Sequence, residues 1–214
     1  MHAEETVTAC KGKLIAFEGI DRAGKTSVIE RLPDRLGDCR VSIVRTGELR
    51  SPIASALRKM LDQRGTAFLK TYFFASDRAW AYKVECLPAL RRGDLVLWDR
   101  YVDTAIVYRA VEISREPSEI KLPFVKAINR PFMRPDLTIY IDISEHTSVG
   151  RGTPAGGGRP YSRDFLREVR VRYLRLASRE KYSIIDGERP IEVIVAEVAQ
   201  IIRDEFKELF PCLQ

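Results

Sequence analysis

The sequence predicts an α/β fold in which a parallel sheet lies between two layers of helices. Short apolar runs alternate with longer helical patterns, the apolar runs are continuous, and no repeat or linker divides the chain. Continuous apolar strands are typical of parallel sheets that helices bury on both faces. We therefore expect one domain over residues 1–214, which is long enough to bury a large core.

Five apolar runs have the length and composition of strands, and they lie at 14–17, 41–44, 95–98, 137–141 and 183–185. Helical patterns occupy most of the remaining chain, near 25–36, 52–62, 66–91 and 190–209. The segment 152–158 contains too much glycine for a helix and is predicted to be a loop. Because ligands of such sheets bind beyond the carboxyl ends of the strands, the residues at those ends matter most.

The composition argues against a membrane protein and against a secreted one. No apolar run approaches the ~18 residues of a membrane span. Glu4 and Glu5 lie where a signal peptide would have a basic start and an apolar stretch. We therefore expect a cytoplasmic protein with no membrane partner. The net charge of +6 suits anionic ligands, whether nucleotide phosphates or nucleic acid.

Four cysteines are scattered along the chain, at positions 10, 39, 86 and 212. None forms a C-x-x-C pair or lies beside a histidine, which argues against a structural zinc site. Their wide spacing also argues against a disulfide framework. We therefore expect reduced thiols, as in a cytoplasm.

The strongest motif is a phosphate loop of the pattern G-x-x-x-x-G-K-[ST], which residues 19–26 match between a strand-like run and a helical pattern. In such a loop the backbone N–H groups turn onto phosphate oxygens, and the following helix adds its positive end. Lys25 is expected to reach the β- and γ-phosphates, and the Thr26 hydroxyl to ligate Mg²⁺. The predicted architecture is therefore the three-layer fold of P-loop NTPases.

Asp99 is the first candidate for the carboxylate that orients hydrated Mg²⁺, because it directly follows an apolar strand. Asp142 also ends a strand-like run, so its position alone does not decide between them. The neighbouring Arg100 favours Asp99, since its guanidinium offers a fork for a phosphate oxygen. The alternative is that Asp99 only caps the helix that follows.

Further segments extend the phosphate loop into a longer pattern, and they lie in order at 17–26, 74–78, 99–101, 134–142 and 185–187. Together they resemble the thymidylate kinase family over about residues 13–200, nearly the whole chain. The resemblance implies a five-stranded parallel sheet flanked by helices, a short lid over about 151–163, and a homodimer. It also implies transfer of the γ-phosphate of ATP to dTMP, with Mg²⁺, to give dTDP and ADP.

The resemblance also assigns residues to the two substrates. The expected ATP contacts are Gly19, Ile20, Asp21, Arg22, Ala23, Gly24, Lys25, Thr26, Ser27 and Arg151, the last packing on adenine. The expected dTMP contacts are Asp21, Arg50, Phe74, Arg78, Arg100, Thr104 and Tyr108. Thr26 and Asp99 are the expected metal ligands.

Individual roles on the acceptor side follow from the same resemblance. Phe74 would stack on thymine, while Arg78 would donate to a carbonyl of the base and Thr104 would lie near it. Tyr108 would crowd a ribose 2′-OH. Asp21 would accept from the sugar 3′-OH, and Arg100 would hold the acceptor phosphate.

Arginines of the loop and lid are the candidates for stabilising the transferring phosphoryl group. The expected catalytic residues are Arg22, Lys25, Asp99, Arg159 and Arg163. We expect Arg22 to carry the larger share, because the turn fixes its backbone and no lid ordering is needed. Residues 151–179 contain eight arginines and two acids, so the lid region is strongly basic.

Two departures from the family pattern bear on the acceptor. The family usually has an Arg-Glu-Pro type turn after the second strand, whereas residues 45–50 read RTGELR, so either Arg45 or Arg50 could serve the acceptor phosphate. The family often has Tyr-Gln-Gly where this chain has Tyr108, Arg109 and Ala110. The charge of Arg109 near the base bears on strict thymine selectivity.

Three alternatives to a thymidylate kinase remain open from the sequence. The first is a related P-loop kinase with a different nucleoside or nucleotide acceptor. The second is a nucleotide-binding regulator, which would need no acceptor site. The third is a nucleic-acid-binding module, because the arginine-rich stretch is interleaved with Tyr161, Phe165 and Tyr173.

Overall fold

The structure is a computed structural model, and it describes residues 12–45, 67–115, 117–152 and 160–213. The strands are β1 (Lys13–Glu18), β2 (Val41–Arg45), β3 (Leu95–Asp99), β4 (Leu137–Asp142) and β5 (Ser183–Asp186). They form one parallel sheet in the order β2-β3-β1-β4-β5. The predicted α/β fold with five parallel strands is confirmed, and each strand lies within one residue of its expected position.

The described helices cover both faces of the sheet. They are α1 (Lys25–Arg31), α2 (Ala67–Ala81), α3 (Leu87–Arg92), α4 (Val102–Arg115), α5 (Leu122–Asn129), α6 (Glu145–Gly150), α7 (Arg163–Glu180) and α8 (Ile191–Phe206). Successive residues of a strand point to opposite faces. Accordingly, Ile15 and Phe17 join one buried cluster with α1, α7 and α8, whereas Leu14 and Ala16 join a second with α3. The chain therefore has three layers.

Two helices differ from their predicted lengths because proline interrupts them. The helix expected over 25–36 ends at Arg31, and a 3₁₀ turn begins at Pro33. The helix expected over 66–91 consists of α2, a π-helical turn over Tyr82–Cys86 and then α3. Pro88 has no N–H to donate, so a regular α-helical ladder cannot continue through it. The helix expected near 52–62 and residues 153–158 of the predicted loop lie outside the described residues.

A disulfide joins Cys39 to Cys212, so the prediction of reduced thiols is wrong for this pair. The two cysteines are 173 residues apart, so their pairing could not be predicted from the sequence. Only the fold brings the C-terminal turn beside the loop before β2. At Gly37, a Cβ would lie 2.7 Å from the carbonyl oxygen of Cys212, so the two segments approach closely there. Cys86 is buried and retains its thiol, and Cys10 lies outside the described residues.

Among the residues that the structure describes, no helix is both long enough and apolar enough to cross a membrane.

Candidate active site

The phosphate loop connects β1 to α1 at the carboxyl edge of the sheet, as predicted. Gly19 and Gly24 have φ angles of 150° and 94°, in the region that favours glycine. A Cβ on Gly19 would also lie 2.6 Å from the carbonyl oxygen of Ile141. Ile20 and Ala23 are buried, so their side chains anchor the loop in the core and leave its backbone at the edge.

Lys25 begins α1 and its side chain folds back under the loop. Its ammonium donates to the carbonyl oxygens of Gly19 at 3.1 Å and Ile20 at 2.8 Å. Burial, together with the nearby Arg100, lowers the pKa of Lys25 to about 7. A phosphate at this position would favour the charged form of the lysine and offer a stronger acceptor than either carbonyl.

Thr26 and Asp99 meet at the carboxyl ends of β1 and β3. The Thr26 hydroxyl donates to Oδ2 of Asp99 at 2.5 Å. Among the described residues, the buried Oδ1 of Asp99 has no hydrogen-bond partner. An orphaned carboxylate oxygen beside a hydroxyl is a suitable donor set for Mg²⁺ or for water bound to it. In the part of the chain that the structure describes, no group of three His, Cys, Asp or Glu side chains could hold a metal ion.

Asp142, the alternative metal ligand, accepts hydrogen bonds from other side chains. Arg170 of α7 donates to both of its carboxylate oxygens at 2.7 Å. The Tyr140 hydroxyl donates to Oδ1 at 3.1 Å. Side-chain partners therefore distinguish Asp99 from Asp142, although both end a strand.

Arg22 and Arg151 connect the loop to the segment after α6. Arg22 donates from Nη1 to the carbonyl oxygen of Gly152, and Arg151 donates from Nη1 to that of Arg22 at 2.9 Å. Arg151 also donates from Nη2 to the carbonyl oxygen of Gly187 at 3.1 Å. Nε and Nη2 of Arg22 are buried and have no hydrogen-bond partner within the described residues. Nε and Nη2 of Arg22 could therefore donate to a ligand beside the phosphate loop.

Three of the residues expected to contact the acceptor, Asp21, Arg100 and Tyr108, meet at the carboxylate of Asp21. Arg100 donates to its Oδ1 at 2.8 Å, and the Tyr108 hydroxyl donates to the same oxygen at 2.8 Å. Burial opposes ionisation of Asp21, but Arg100 and Lys25 outweigh it and lower the pKa of Asp21. Burial also opposes the charge of Arg100, yet Asp21 raises the pKa of Arg100 well above its usual value. Both groups are therefore charged at neutral pH.

Arg78 projects from α2 into a buried position near α5. Its guanidinium donates from Nη1 to the Asn129 side-chain oxygen at 2.6 Å and lies 5.6 Å from the centre of the Phe132 ring. Burial lowers the pKa of Arg78 to about 10, so it is still charged at neutral pH. Its Nε is buried and lacks a hydrogen-bond partner among the described residues.

The ring of Phe74 lies on the same helix and faces Arg109, whose guanidinium carbon is 6.0 Å from the ring centre. Arg109 is buried and pairs with Glu112 at 2.5 Å. Glu112 also accepts from the Tyr161 hydroxyl at 3.0 Å. Arg109, at which the chain differs from the family pattern, therefore lies beside Phe74, the residue expected to stack on the base. The charge of Arg109 is paired with the carboxylate of Glu112.

The remaining predicted residues divide between described and undescribed parts of the chain. Thr104 is present, but its hydroxyl donates to the buried Glu18 at 2.5 Å. Ser27 lies on the exposed side of α1, and Arg163 is exposed at the start of α7. Arg50 and Arg159 lie outside the described residues.

From the sequence, no role in a kinase site was predicted for three side chains that border these groups: Glu18, Asn129 and Tyr173. The signal for Glu18 was available, because it is a carboxylate at the end of an otherwise apolar run. No local signal identified Asn129 or Tyr173. They reach the site from helices that lie far from it in the chain.

Comparison with known proteins places these observations in a family. A family model described as thymidylate kinase matches residues 17–198. A probable thymidylate kinase of Pyrobaculum aerophilum is 36% identical over 193 residues, which cover 88% of this chain and 95% of that protein. Thymidylate kinases of Ligilactobacillus salivarius and Limosilactobacillus reuteri are 33% and 31% identical, over 91% and 93% of this chain and 99% of each relative.

Proposed function

Since the chain belongs to the thymidylate kinase family, we infer that it is an ATP-dependent kinase whose acceptor is dTMP. An oxygen of the dTMP phosphate attacks the γ-phosphorus of ATP, the bond to the bridging oxygen breaks, and dTDP and ADP are released. The acceptor oxygen is already ionised near neutral pH, so no general base is required and positioning and charge neutralisation dominate. The observation that carries this conclusion is the ion pair between Asp21 of the phosphate loop and Arg100.

On the donor side, the loop backbone over residues 19–27 and the Lys25 ammonium hold the phosphates of ATP. The positive φ angles of the two loop glycines and the buried position of Lys25 support this assignment. Arg151 would pack on adenine from the segment after α6. Its hydrogen bonds to the backbone of Arg22 and Gly187 support a place beside the loop.

Thr26 and Asp99 would hold Mg²⁺, supported by their contact and by the unpartnered Oδ1 of Asp99. When bound, this ion neutralises charge that develops on the β- and γ-phosphate oxygens.

On the acceptor side, Phe74 stacks on thymine, and Arg78 donates to a carbonyl of the base. Arg100 holds the phosphate of dTMP, with Arg50 as a further candidate. Three more residues would lie near the nucleoside: Asp21 at the 3′-OH, Thr104 at the base and Tyr108 at the 2′ position. The charged state of Arg78 and its unpartnered Nε support the role in base recognition.

Arg22 is the proposed main source of positive charge at the transferring group, with Arg159 and Arg163 supplying the rest from a lid over about 151–163. The two unpartnered donors of Arg22 support this order. The whole chain, 1–214, is proposed as one kinase domain carrying this lid.

A homodimer is part of the same proposal, and an exposed aromatic face supports it. Phe68 and Tyr72 on α2 and Phe124 on α5 are exposed and touch one another, with ring centres 5.1 and 5.5 Å apart. A charge placed there, as in Tyr72→Glu, should shift the molar mass by light scattering to that of a monomer. Val171→Glu, on the exposed face of α7, is the matched control and should leave the mass unchanged.

The proposed location is the cytoplasm. The Cys39–Cys212 disulfide then has to persist inside the cell, as disulfides do in intracellular proteins of hyperthermophiles. Trapping of free thiols in intact cells tests this. If both cysteines were alkylated before lysis, the disulfide would be absent in the cell.

The reaction itself is tested by a coupled ADP-release assay with ATP and Mg²⁺ across the common nucleoside monophosphates. We expect dTMP to have the highest kcat/KM. A higher value for another monophosphate would assign the chain a different acceptor. ADP release that is independent of any acceptor would instead indicate an ATP-hydrolysing regulator.

A further inference from the structure

We propose that Glu18 is a positioning residue for the acceptor, because its carboxylate fixes the start of α4 and thereby the backbone of Arg100 and the side chain of Thr104. The proposal rests on the function inferred above. It concerns a buried carboxylate to which the donor and acceptor assignments give no role.

Glu18 is fully buried at the end of β1 and accepts four hydrogen bonds. Its Oε1 accepts from the backbone N–H groups of Tyr101 at 3.1 Å and Thr104 at 3.3 Å. Its Oε2 accepts from the Thr104 hydroxyl at 2.5 Å and the Tyr173 hydroxyl at 2.8 Å. All four of these partners are donors, which suits an ionised carboxylate.

The two backbone contacts place Glu18 as a cap on α4 supplied by another element. The first N–H groups of a helix have no partner within it, and a negative charge there is favoured by the helix dipole. Glu18 satisfies two N–H groups at this end and thereby fixes the turn that leads from β3 into α4.

This turn contains Arg100 in a backbone conformation that needs support. Its φ angle is 63°, which is unfavourable for a residue with a Cβ. The N–H of Arg100 donates to the carbonyl oxygen of Phe17 at 3.1 Å, and the next N–H, of Tyr101, donates to Glu18. The last two residues of β1 therefore hold Arg100 from both sides, and its guanidinium can reach Asp21.

Glu18 also connects α4 to α7, the helix that follows the proposed lid. The Tyr173 hydroxyl of α7 lies 2.8 Å from the Thr104 hydroxyl, and both contact the same oxygen of Glu18. The carboxylate thus fixes the rotamer of Thr104 as well as the backbone before it. Loss of its charge would loosen both attachments while leaving the phosphate loop backbone in place.

Charged and titratable groups surround this carboxylate on all sides. Those that interact with it electrostatically are Asp103 and Arg100 near the start of α4, Tyr173 on α7, Arg78 on α2, Lys25 on α1 and Tyr182 before β5. Burial, with the neighbouring Asp103, raises the pKa of Glu18 to about 7. A carboxylate retained at this cost in free energy is consistent with a functional role rather than a packing one.

The test compares Glu18→Gln, which keeps the shape of the side chain, with the wild-type protein in the ADP-release assay at pH 8. We expect the KM for dTMP to rise at least tenfold and the KM for ATP to stay within twofold. A dTMP KM within twofold of wild type, or a parallel rise for both substrates, would overturn the proposal. Wild-type turnover of dTMP tests the inferred function separately, because it does not depend on the variant.

A second variant keeps the proposal testable if Glu18→Gln does not fold. Tyr173→Phe removes one donor from Oε2 and preserves the ring. We expect it to raise the KM for dTMP about threefold without changing that for ATP. An unchanged KM for dTMP would then contradict the role of Glu18.

Discussion

Asp21 of the phosphate loop and Arg100 beyond β3 form an ion pair of 2.8 Å, although they lie 79 residues apart in the chain. The backbone of Asp21 belongs to the loop proposed to hold the phosphates of ATP, whereas its carboxylate and Arg100 are both proposed to contact dTMP. One side-chain pair therefore joins the two halves of the site.

Replacing Lys25 by Met should nearly abolish turnover while the fold is retained. Loss of one preorganised donor at a developing charge costs about 3–4 kcal/mol, or roughly 10²–10³ in kcat. Because burial lowers the pKa of Lys25 to about 7, the uncharged methionine should not lower the melting temperature. Lys13→Met, at the opposite end of β1, is the matched control for kcat. Wild-type kcat/KM in the Lys25 variant would remove the phosphate-loop assignment.

Replacing Phe74 by Ala should weaken the binding of dTMP and leave the binding of ATP unchanged. Stacking of a base on an aromatic ring contributes about 1–3 kcal/mol, so we expect the Kd of dTMP to rise by roughly 5- to 150-fold. Titration calorimetry with each nucleotide measures this directly. Val84→Ala, in the π-helical turn after α2, is the control, since Val84 is an exposed apolar residue outside the proposed dimer face. Equal losses for ATP and dTMP would assign Phe74 to packing instead.

Much of the fold followed from local sequence signals. The five strands were predictable because the apolar runs are only three to five residues long, which is too short for a buried helix. The phosphate loop was predictable because glycine is required at Gly19 and Gly24 for steric reasons. The interruptions at Pro33 and Pro88 were also encoded locally, but the longer helical patterns around them concealed the breaks.

The rest of the site depended on contacts that spacing does not reveal. Glu18 receives its hydrogen bonds from residues 83 to 155 positions away, and Arg78 meets Asn129 after 51 residues. The sequence favoured Asp99 over Asp142 only through the neighbouring Arg100, and it did not reveal that Arg170 binds both carboxylate oxygens of Asp142. Likewise, the pairing of Cys39 with Cys212 follows only from the docking of the C-terminal turn. These are properties of packing between elements.

Replacing Cys212 by Ser should lower the free energy of unfolding. The disulfide closes a loop of 173 residues, and loops of this size are stabilised by about 3–5 kcal/mol through the unfolded state. Urea denaturation of both proteins, with and without reductant, measures the difference. Reductant should bring the wild type to the level of the variant and leave the variant unchanged. A wild-type protein that is indifferent to reductant would show that the thiols are not paired in solution.

Glu18→Gln should alter the pH dependence of stability in a defined direction. Burial raises the pKa of Glu18 from 4.5 to about 7, so between these values the folded protein binds a proton that the unfolded chain has released. The contribution of Glu18 to stability is therefore largest below pH 4.5 and is lost as the pH rises through 7. Between pH 5 and pH 8, the free energy of unfolding of the variant should rise relative to that of the wild type by on the order of 2 kcal/mol. Urea denaturation at both pH values tests this, and a constant difference would contradict it.

Arg22→Ala should reduce the rate of phosphoryl transfer more than either lid variant, Arg159→Ala or Arg163→Ala. An arginine at the equatorial oxygens contributes about 10³–10⁵ in rate. Arg22 has two buried donors without a hydrogen-bond partner in the described part of the chain, and its backbone is fixed in the loop at a φ of 62°. Arg163 is exposed at the start of α7, and under the proposed lid role it would have to be brought to the phosphates by closure.

Single-turnover kinetics on the three variants and their pairwise doubles measure this ranking. The exposed Arg175, farther along α7, provides a control in which Arg175→Ala should leave the rate unchanged. A larger loss in either lid variant than in Arg22→Ala would assign the main charge to the lid. If loop and lid arginines act on the same oxygens, the doubles should lose less than the product of the single losses, because the second substitution removes an interaction that the first has already weakened.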